Sequence, residues 1–129
     1  MKLFRRSEHQ HRELTSQKTG EAFSHSQVLS EGLQSKDFFI THEIIPAGRR
    51  ASGAHSHTET DEVVFVLSGY PTAVEGGEKI ALSPGDSVCF QAGAAEYHFV
   101  LNETNVEAHI LVIKKSVSND IVMAPSLLS

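Results

Sequence analysis

From Ala22 to Lys114 turn formers cut the chain into short apolar segments, at the roughly 8–12-residue spacing expected of an all-β barrel or sandwich. Pro46-Ala47-Gly48 closes one segment and Ser68-Gly69-Tyr70-Pro71 another. Glu75-Gly76-Gly77-Glu78 carries the two glycines that a tight hairpin with positive φ requires. In Ser83-Pro84-Gly85-Asp86, proline sets φ and glycine accepts the left-handed region. Strands are expected near Ala22–Leu29, Phe38–Ile45, Ala54–His57, Glu62–Leu67, Thr72–Glu75, Lys79–Leu82, Ser87–Gln91, Tyr97–Leu101 and Val106–Lys114. No long stretch has helical periodicity, although Val28 to Lys36 leaves room for one helical turn.

A chain of 129 residues is most simply one domain with one core. Three parts are expected: an N-terminal arm at 1–21, a β-barrel at 22–115 and a tail at 116–129. The arm is polar and charged with no sustained period, so it is read as partly flexible or ordered against a partner. Net charge is -5 and the basic residues are not clustered, which excludes a nucleic-acid footprint. Cys89 stands alone, so no internal disulfide is possible, which fits a reducing compartment. The first residues turn polar at once and show no secretory signal. The longest unbroken aliphatic and aromatic run, Val63 to Leu67, is far short of a membrane span. The expectation is a cytoplasmic protein that binds neither membrane nor nucleic acid.

Val63-Val64-Phe65-Val66-Leu67 is apolar on both faces, whereas a barrel strand with a solvated outer face alternates. One face must therefore be covered by a second sheet, the arm or another subunit. A subunit is favoured in a chain this small, so a homodimer is expected. The apolar tail from Ile121 to Leu128 is a candidate for the same surface, or a frayed end.

The chemistry gathers in His55-Ser56-His57-Thr58-Glu59-Thr60-Asp61-Glu62. On a strand, residues i and i+2 share a face, so His55 and His57 can converge on one point. After a turn, Glu62 can face that point from the neighbouring strand. Two neutral imidazoles and one carboxylate suit a mononuclear transition-metal site. Downstream, alternation sends Tyr97 and Phe99 to one face of a strand and His98 to the other.

At these residues the sequence resembles the cupin superfamily, in particular its small single-domain members. Gly48, His55, His57, Glu62 and Gly69 fill the family's first motif, with one extra residue between Gly48 and His55. Gly85, Gly93, His98 and Asn102 match the second. Two departures occur there: Gln91 replaces the usual proline, and four residues rather than two separate Gly93 from His98. Strict register would make Glu96 the ligand, but His98 keeps the family's spacing to Asn102. The resemblance covers about residues 38–115. It implies a double-stranded β-helix (jelly-roll) barrel holding a divalent metal on His55, His57, Glu62 and His98, with open coordination positions. Fe, Mn, Ni, Cu and Zn all suit such ligands.

Secondary candidates surround this set. Arg49 or Arg50 can reach the barrel mouth to bind a carboxylate or phosphate of a ligand, or both form a solvated loop. His42 and His109 lie on expected core strands as proton shuttles, orienting donors or simply satisfied buried histidines. Tyr97 is expected to pack outside, Cys89 to be a small buried apolar residue, and Glu59 and Asp61 to face solvent in the turn. His9 and His11 repeat the i, i+2 spacing on the arm and are read as solvated.

Three functions fit. One is a metal-dependent enzyme acting on a small organic acid or sugar derivative, with the metal as Lewis acid or oxygen activator. The others are a non-catalytic module that binds or senses a small molecule, and a structural barrel with a vestigial metal site. No nucleophile elbow or phosphate loop is present, and no catalytic residue can be assigned from the sequence.

Overall fold

The computed structural model of the chain describes residues 1–125. Leu127 and Leu128 of the apolar tail lie outside the described residues. Among the described residues the strands are β1 (Arg12–Thr15), β2 (Ala22–Val28), β3 (Phe38–Ile45), β4 (Ser56–His57), β5 (Glu62–Ser68) and β6 (Thr72–Glu75). They continue as β7 (Glu78–Ala81), β8 (Ser87–Phe90), β9 (His98–Leu101), β10 (Ala108–Lys115) and β11 (Val122–Met123). One short helix, α1 (Leu29–Leu33), follows β2 where room for a helical turn was expected.

All strand pairs are antiparallel. A six-stranded sheet runs β1-β2-β3-β10-β5-β8 and faces a three-stranded sheet, β7-β6-β9, with β11-β4 as a separate ribbon. The result is a double-stranded β-helix, the jelly-roll barrel implied by the resemblance. Observed strands depart from the expected ones by only a residue or two at most ends, within the normal fraying of strand boundaries. Expected strand Ala54–His57 shortens to Ser56–His57 because His55 pairs through an isolated bridge.

Alternation along β5 sorts the ambiguous apolar run. Val64 and Val66 are fully buried and join Ile45, Ala73, Phe90, Val100, Ala108 and Ile110 in the core. Phe65 and Leu67 point outward and remain 37% and 45% exposed. Gly69, beyond β5, adopts φ 80°, and a Cβ there would lie 2.7 Å from the Ala108 backbone. Only glycine fits where the chain turns that tightly against β10.

The arm and tail both carry strand structure that the sequence pattern does not announce. β1 pairs with β2 at Arg12↔Ser26, which extends the sheet, and a register shift then breaks its alternation between Glu13 and Thr15. In the tail, β11 pairs with β4 at Val122↔His57, not with the outward apolar face of β5. Cys89, expected to be buried, is exposed. It lies on β8, the edge strand of its sheet, where Ser87 on the same face is also exposed.

Candidate metal centre

Backbone pairing places the first imidazoles. The chain from Gly48 to His55 runs antiparallel to β9, through Gly48 N–H to Asn102 O (2.7 Å) and Ala51 N–H to Val100 O (2.8 Å). At its end His55 and His98 exchange backbone hydrogen bonds of 3.1 and 2.8 Å, so the two side chains stand on one face. Their ring centroids are 4.5 Å apart. Asn102 holds this register. Its fully buried side chain donates to Ile45 O and Val106 O and accepts from the Thr104 backbone and hydroxyl. The asparagine of the second motif therefore sets the loop rather than joining the chemistry.

Glu62 begins β5 on the inward face, and its carboxylate is the centre of the cluster. Oε1 lies 3.4 Å from His55 Nε2 and 3.3 Å from His57 Nε2, and Oε2 lies 3.0 Å from His98 Nε2. One ligand atom each from His55, Glu62 and His98 fall within 4.8 Å of one another, so this buried group can hold a metal. His57 closes the cluster from its other side, its ring centroid 6.3 Å from that of His98. Phe90 stacks on the His98 ring at 4.0 Å and fixes its plane. Glu96, the strict-register alternative, packs instead against Gly76 at the β6–β7 turn.

Tautomers test whether these residues fit a cation. His55 Nδ1–H donates to the Gly53 carbonyl at 2.8 Å, and His57 Nδ1 meets Asp120 Oδ2 at 2.7 Å. A neutral ring whose Nδ1 donates presents a lone pair at Nε2. Both lone pairs then face the oxygens of one carboxylate, an arrangement that only a proton or a cation between them relieves. His57 Nε2 is buried and, despite its proximity to Glu62, makes no aligned hydrogen bond. The donor set fits a divalent metal.

The electrostatics agree. Burial pushes Glu62 toward protonation, but His55, His57 and His98 outweigh it and hold the carboxyl well below the usual range. The Glu62 carboxylate raises His57 against the effect of burial, with help from Asp120. Asp120 joins the cluster although nothing in the sequence pattern singles it out. Its Oδ1 accepts the Glu59 and Thr60 amides at 2.9 and 3.2 Å while Oδ2 orients His57. No motif marks it; it lies 63 residues from the histidine it serves and arrives through the β4–β11 pairing.

The cluster forms one wall of a barrel cavity of about 330 Å³, lined also by Arg12, Ser26, Thr41, Glu43, Ser52 and Lys114. Glu43 is buried and accepts hydroxyl hydrogen bonds from Ser24 (2.6 Å) and Ser26. A more open hollow of about 510 Å³ continues past Phe39 and Lys114 to His57 and Asp120. Arg49 and Arg50 stay out of the cavity. Arg49 pairs with Glu13 at 2.7 Å, and Arg50 makes a two-pronged pair with Glu21 at 2.9 and 2.6 Å. The cavity's arginine is Arg12, from the arm. His42 and His109 face the outside of the sheet.

No helix among the described residues is long and apolar enough to cross a membrane. No curated protein matches the sequence. Among solved structures, a sugar phosphate isomerase of the cupin superfamily from Silicibacter pomeroyi superposes with a TM-score of 0.76 at 25% identity. That match covers 81% of this chain and 66% of the other, just under two thirds of its length. A candidate sugar phosphate isomerase from Acidithiobacillus ferrooxidans gives 0.81 at 24% identity, covering 95% of this chain and 80% of that one. A protein described as a predicted oxalate decarboxylase, from Thermotoga maritima, gives 0.74 at 19% identity over 89% and 99% of the two chains. The last two bear on the fold alone. The family model for the cupin domain matches residues 41–114 of the 129, from β3 through β10. Barrel, motif residues and family match coincide, and this chain is a member of the cupin family.

Proposed function

We propose that this cupin binds one divalent transition metal on His55, His57, Glu62 and His98 and acts as a metal-dependent enzyme on a small organic acid or sugar derivative, with sugar phosphates first among them. One observation carries this reading. The imidazole–carboxylate cluster opens onto a cavity that also holds two cations, Arg12 and Lys114, and the hydroxyls of Ser26, Thr41 and Ser52. Cations suit a carboxylate or phosphate and hydroxyls suit a polyol. When bound, the metal supplies Lewis acidity at its open positions. The chain's own part is to orient the ligand through Arg12 and Lys114 and to present the Glu43 carboxylate to the same cavity. Similarity to a sugar phosphate isomerase at 25% identity points the same way.

A binding-only role is the second reading. Glu43 is already engaged by Ser24 and Ser26, which is how a fixed recognition group, rather than a free base, is held. Metal analysis of tag-free protein, with a His55→Ala/His57→Ala variant as control, tests the site. Equal, negligible metal in both rejects it. Metal-loaded protein is then assayed against sugar phosphates for isomerisation and against small acids for oxygen uptake or decarboxylation. Turnover supports the enzyme; saturable binding without turnover supports the module.

We further propose that the molecule is a cytoplasmic homodimer that buries Phe65 and Leu67, the exposed apolar side chains of β5. Sedimentation of a species near the single-chain 14.1 kDa at micromolar concentration rejects the dimer.

A further inference from the structure

The outer face of the six-stranded sheet carries a second histidine cluster. On β3, Thr41 and Glu43 line the barrel cavity, so His42 between them faces outward. The arm delivers two more imidazoles to it. Gln10 N–H donates to Gln27 Oε1 at 2.6 Å, and Gln27 pairs with His42 across β2 and β3. That anchor sets His9 and His11, on either side of Gln10, over His42. The Phe4 ring lies tilted against His9, centroids 4.7 Å apart, and packs where Gly32 of α1 has no side chain. One ligand atom each from His9, His11 and His42 lie within 4.8 Å of one another.

Hydrogen bonding fixes which ring atoms face the cluster. Glu107 can only accept, so His109 donates through Nε2, 3.1 Å away. His109 Nδ1 is then bare and accepts His42 Nε2–H at 3.0 Å. His42 Nδ1 is left with its lone pair pointing at the cluster, 2.8 Å from His11 Nε2. A histidine metal ligand usually has its other ring nitrogen held by an outer hydrogen-bond partner, and here His109, itself held by Glu107, does this for His42. His9 Nδ1 is buried and has no hydrogen-bond partner among the described residues.

We propose that His9, His11 and His42 form a second metal site, outside the barrel, for a divalent ion that favours imidazole: Zn(II), Ni(II) or Cu(II). His109 and Glu107 are its positioning residues. No carboxylate enters the group, so a hard ion such as Mg(II) or Ca(II) is excluded. Arg6 lines the same surface hollow as His9, His42 and His109 and opposes a cation there. The site therefore selects ions whose bond to imidazole is strong. The ion ties the arm to β3, giving these polar residues the partner their composition lacks.

The test uses the full, tag-free chain and Zn(II) alone. Bound metal per chain is measured for wild type, for His9→Gln/His11→Gln and for the inner variant His55→Ala/His57→Ala. The His9→Gln/His11→Gln variant is expected to bind one equivalent fewer than wild type, and the inner variant to keep one. Cu(II) on the inner variant is expected to give an electron paramagnetic resonance spectrum with imidazole-nitrogen coupling that His9→Gln/His11→Gln removes. His109→Ala is expected to weaken Zn(II) at this site about 10- to 100-fold, and Arg6→Ala to strengthen it. Equal metal content in wild type and the His9→Gln/His11→Gln variant overturns the proposal. That comparison leaves the inner residues intact, so it decides even if the inner variant fails to fold. If the barrel site takes no metal, wild type binds one equivalent and the His9→Gln/His11→Gln variant none, which separates the two failures.

Discussion

Two histidine pairs with the same i, i+2 spacing lie on opposite sides of the six-stranded sheet, in opposite surroundings. His55 and His57 turn toward a buried carboxylate, Glu62, which also meets His98. His9 and His11 turn toward a third imidazole, and the nearest carboxylate in their hydrogen-bonded chain, Glu107, is two rings away. Spacing therefore says only that two rings share a side. Their chemistry comes from what distant strands bring beneath them: β5 and β9 for one pair, β3 and β10 for the other. The inner cluster carries a negative charge at its centre, whereas the outer one is neutral beside Arg6.

Removing that central charge is the sharpest way to part the clusters. Glu62→Gln keeps the shape but leaves three imidazoles around an amide. We expect metal affinity in the barrel to fall on the order of a thousandfold, about 4 kcal/mol, the scale of an uncompensated buried charge. Binding at the outer cluster should be untouched. Competition with a chelator of known affinity checks both, and equal loss at the two sites would break the comparison.

Proton linkage gives the clusters opposite signs in metal-free protein. His42 is 4% exposed, and its burial lowers it from 6.5 to about 4. The unfolded chain therefore binds its proton first as pH falls. Stability from His42 is present above about 6.5 and is lost between there and about 4, by up to about 3 kcal/mol. His57 is raised by Glu62 and Asp120. Its contribution is complete below about 6.5 and is lost as pH rises through its folded value. Urea unfolding across this range should show the low-pH slope flattened in His42→Gln and the high-pH slope flattened in His57→Gln. A single slope of one sign that neither variant changes would show that neither histidine controls it.

The same contrast explains what could be read without coordinates. β3 and β6 fall where the apolar segments and their flanking turns put them, because each carries its own local pattern. That His55, His57, Glu62 and His98 gather around one point is legible because motif spacing ties each to a turn. β1 and β11 are not legible. One is interrupted by a register shift and the other is two residues long, so pairing with β2 and β4 defines them. Residues on or beside these elements escape a local reading for the same reason: Asp120 at the inner cluster, Arg12 in the cavity, and His9 and His11 over His42. His42 and His109 were recognised as orienting candidates, but the face they occupy depends on register, which a local pattern does not set.

Asp120 tests whether the tail is part of the inner cluster. It fixes the His57 tautomer from beyond the family match, which ends at residue 114. Asp120→Asn keeps the side chain's size and lets the amide present a donor to His57 Nδ1. Barrel metal affinity is expected to drop about 10- to 100-fold, the usual effect of losing an orienting partner, while the outer cluster keeps its metal. Titration calorimetry resolves that change. A drop below about twofold would make Asp120 a loop anchor for Glu59 and Thr60 only.

The arginines give the smallest effect, and their comparison asks which of them meets an anionic ligand. Arg50 lies five residues before the first inner histidine in a segment that resembles small cupins, yet its guanidinium faces Glu21 and lies over Phe99 at 5.1 Å. The pair is partly exposed, at 29% and 37% for the two side chains, so solvent screens it. Arg50→Ala is expected to cost about 1 kcal/mol or less in stability and to leave the binding of a sugar phosphate unchanged. Arg12, 43 residues before His55 in the sequence, sits across the cavity from it because β1 completes the sheet. Arg12→Ala should weaken sugar phosphate binding with little effect on stability, since it lines the cavity at an exposed edge. Equilibrium binding of one sugar phosphate to the two variants decides between the arginines. A larger loss from Arg50→Ala would put the anionic end of the ligand outside the cavity, on the Glu21 side, and would require Arg50 to leave Glu21 when ligand binds.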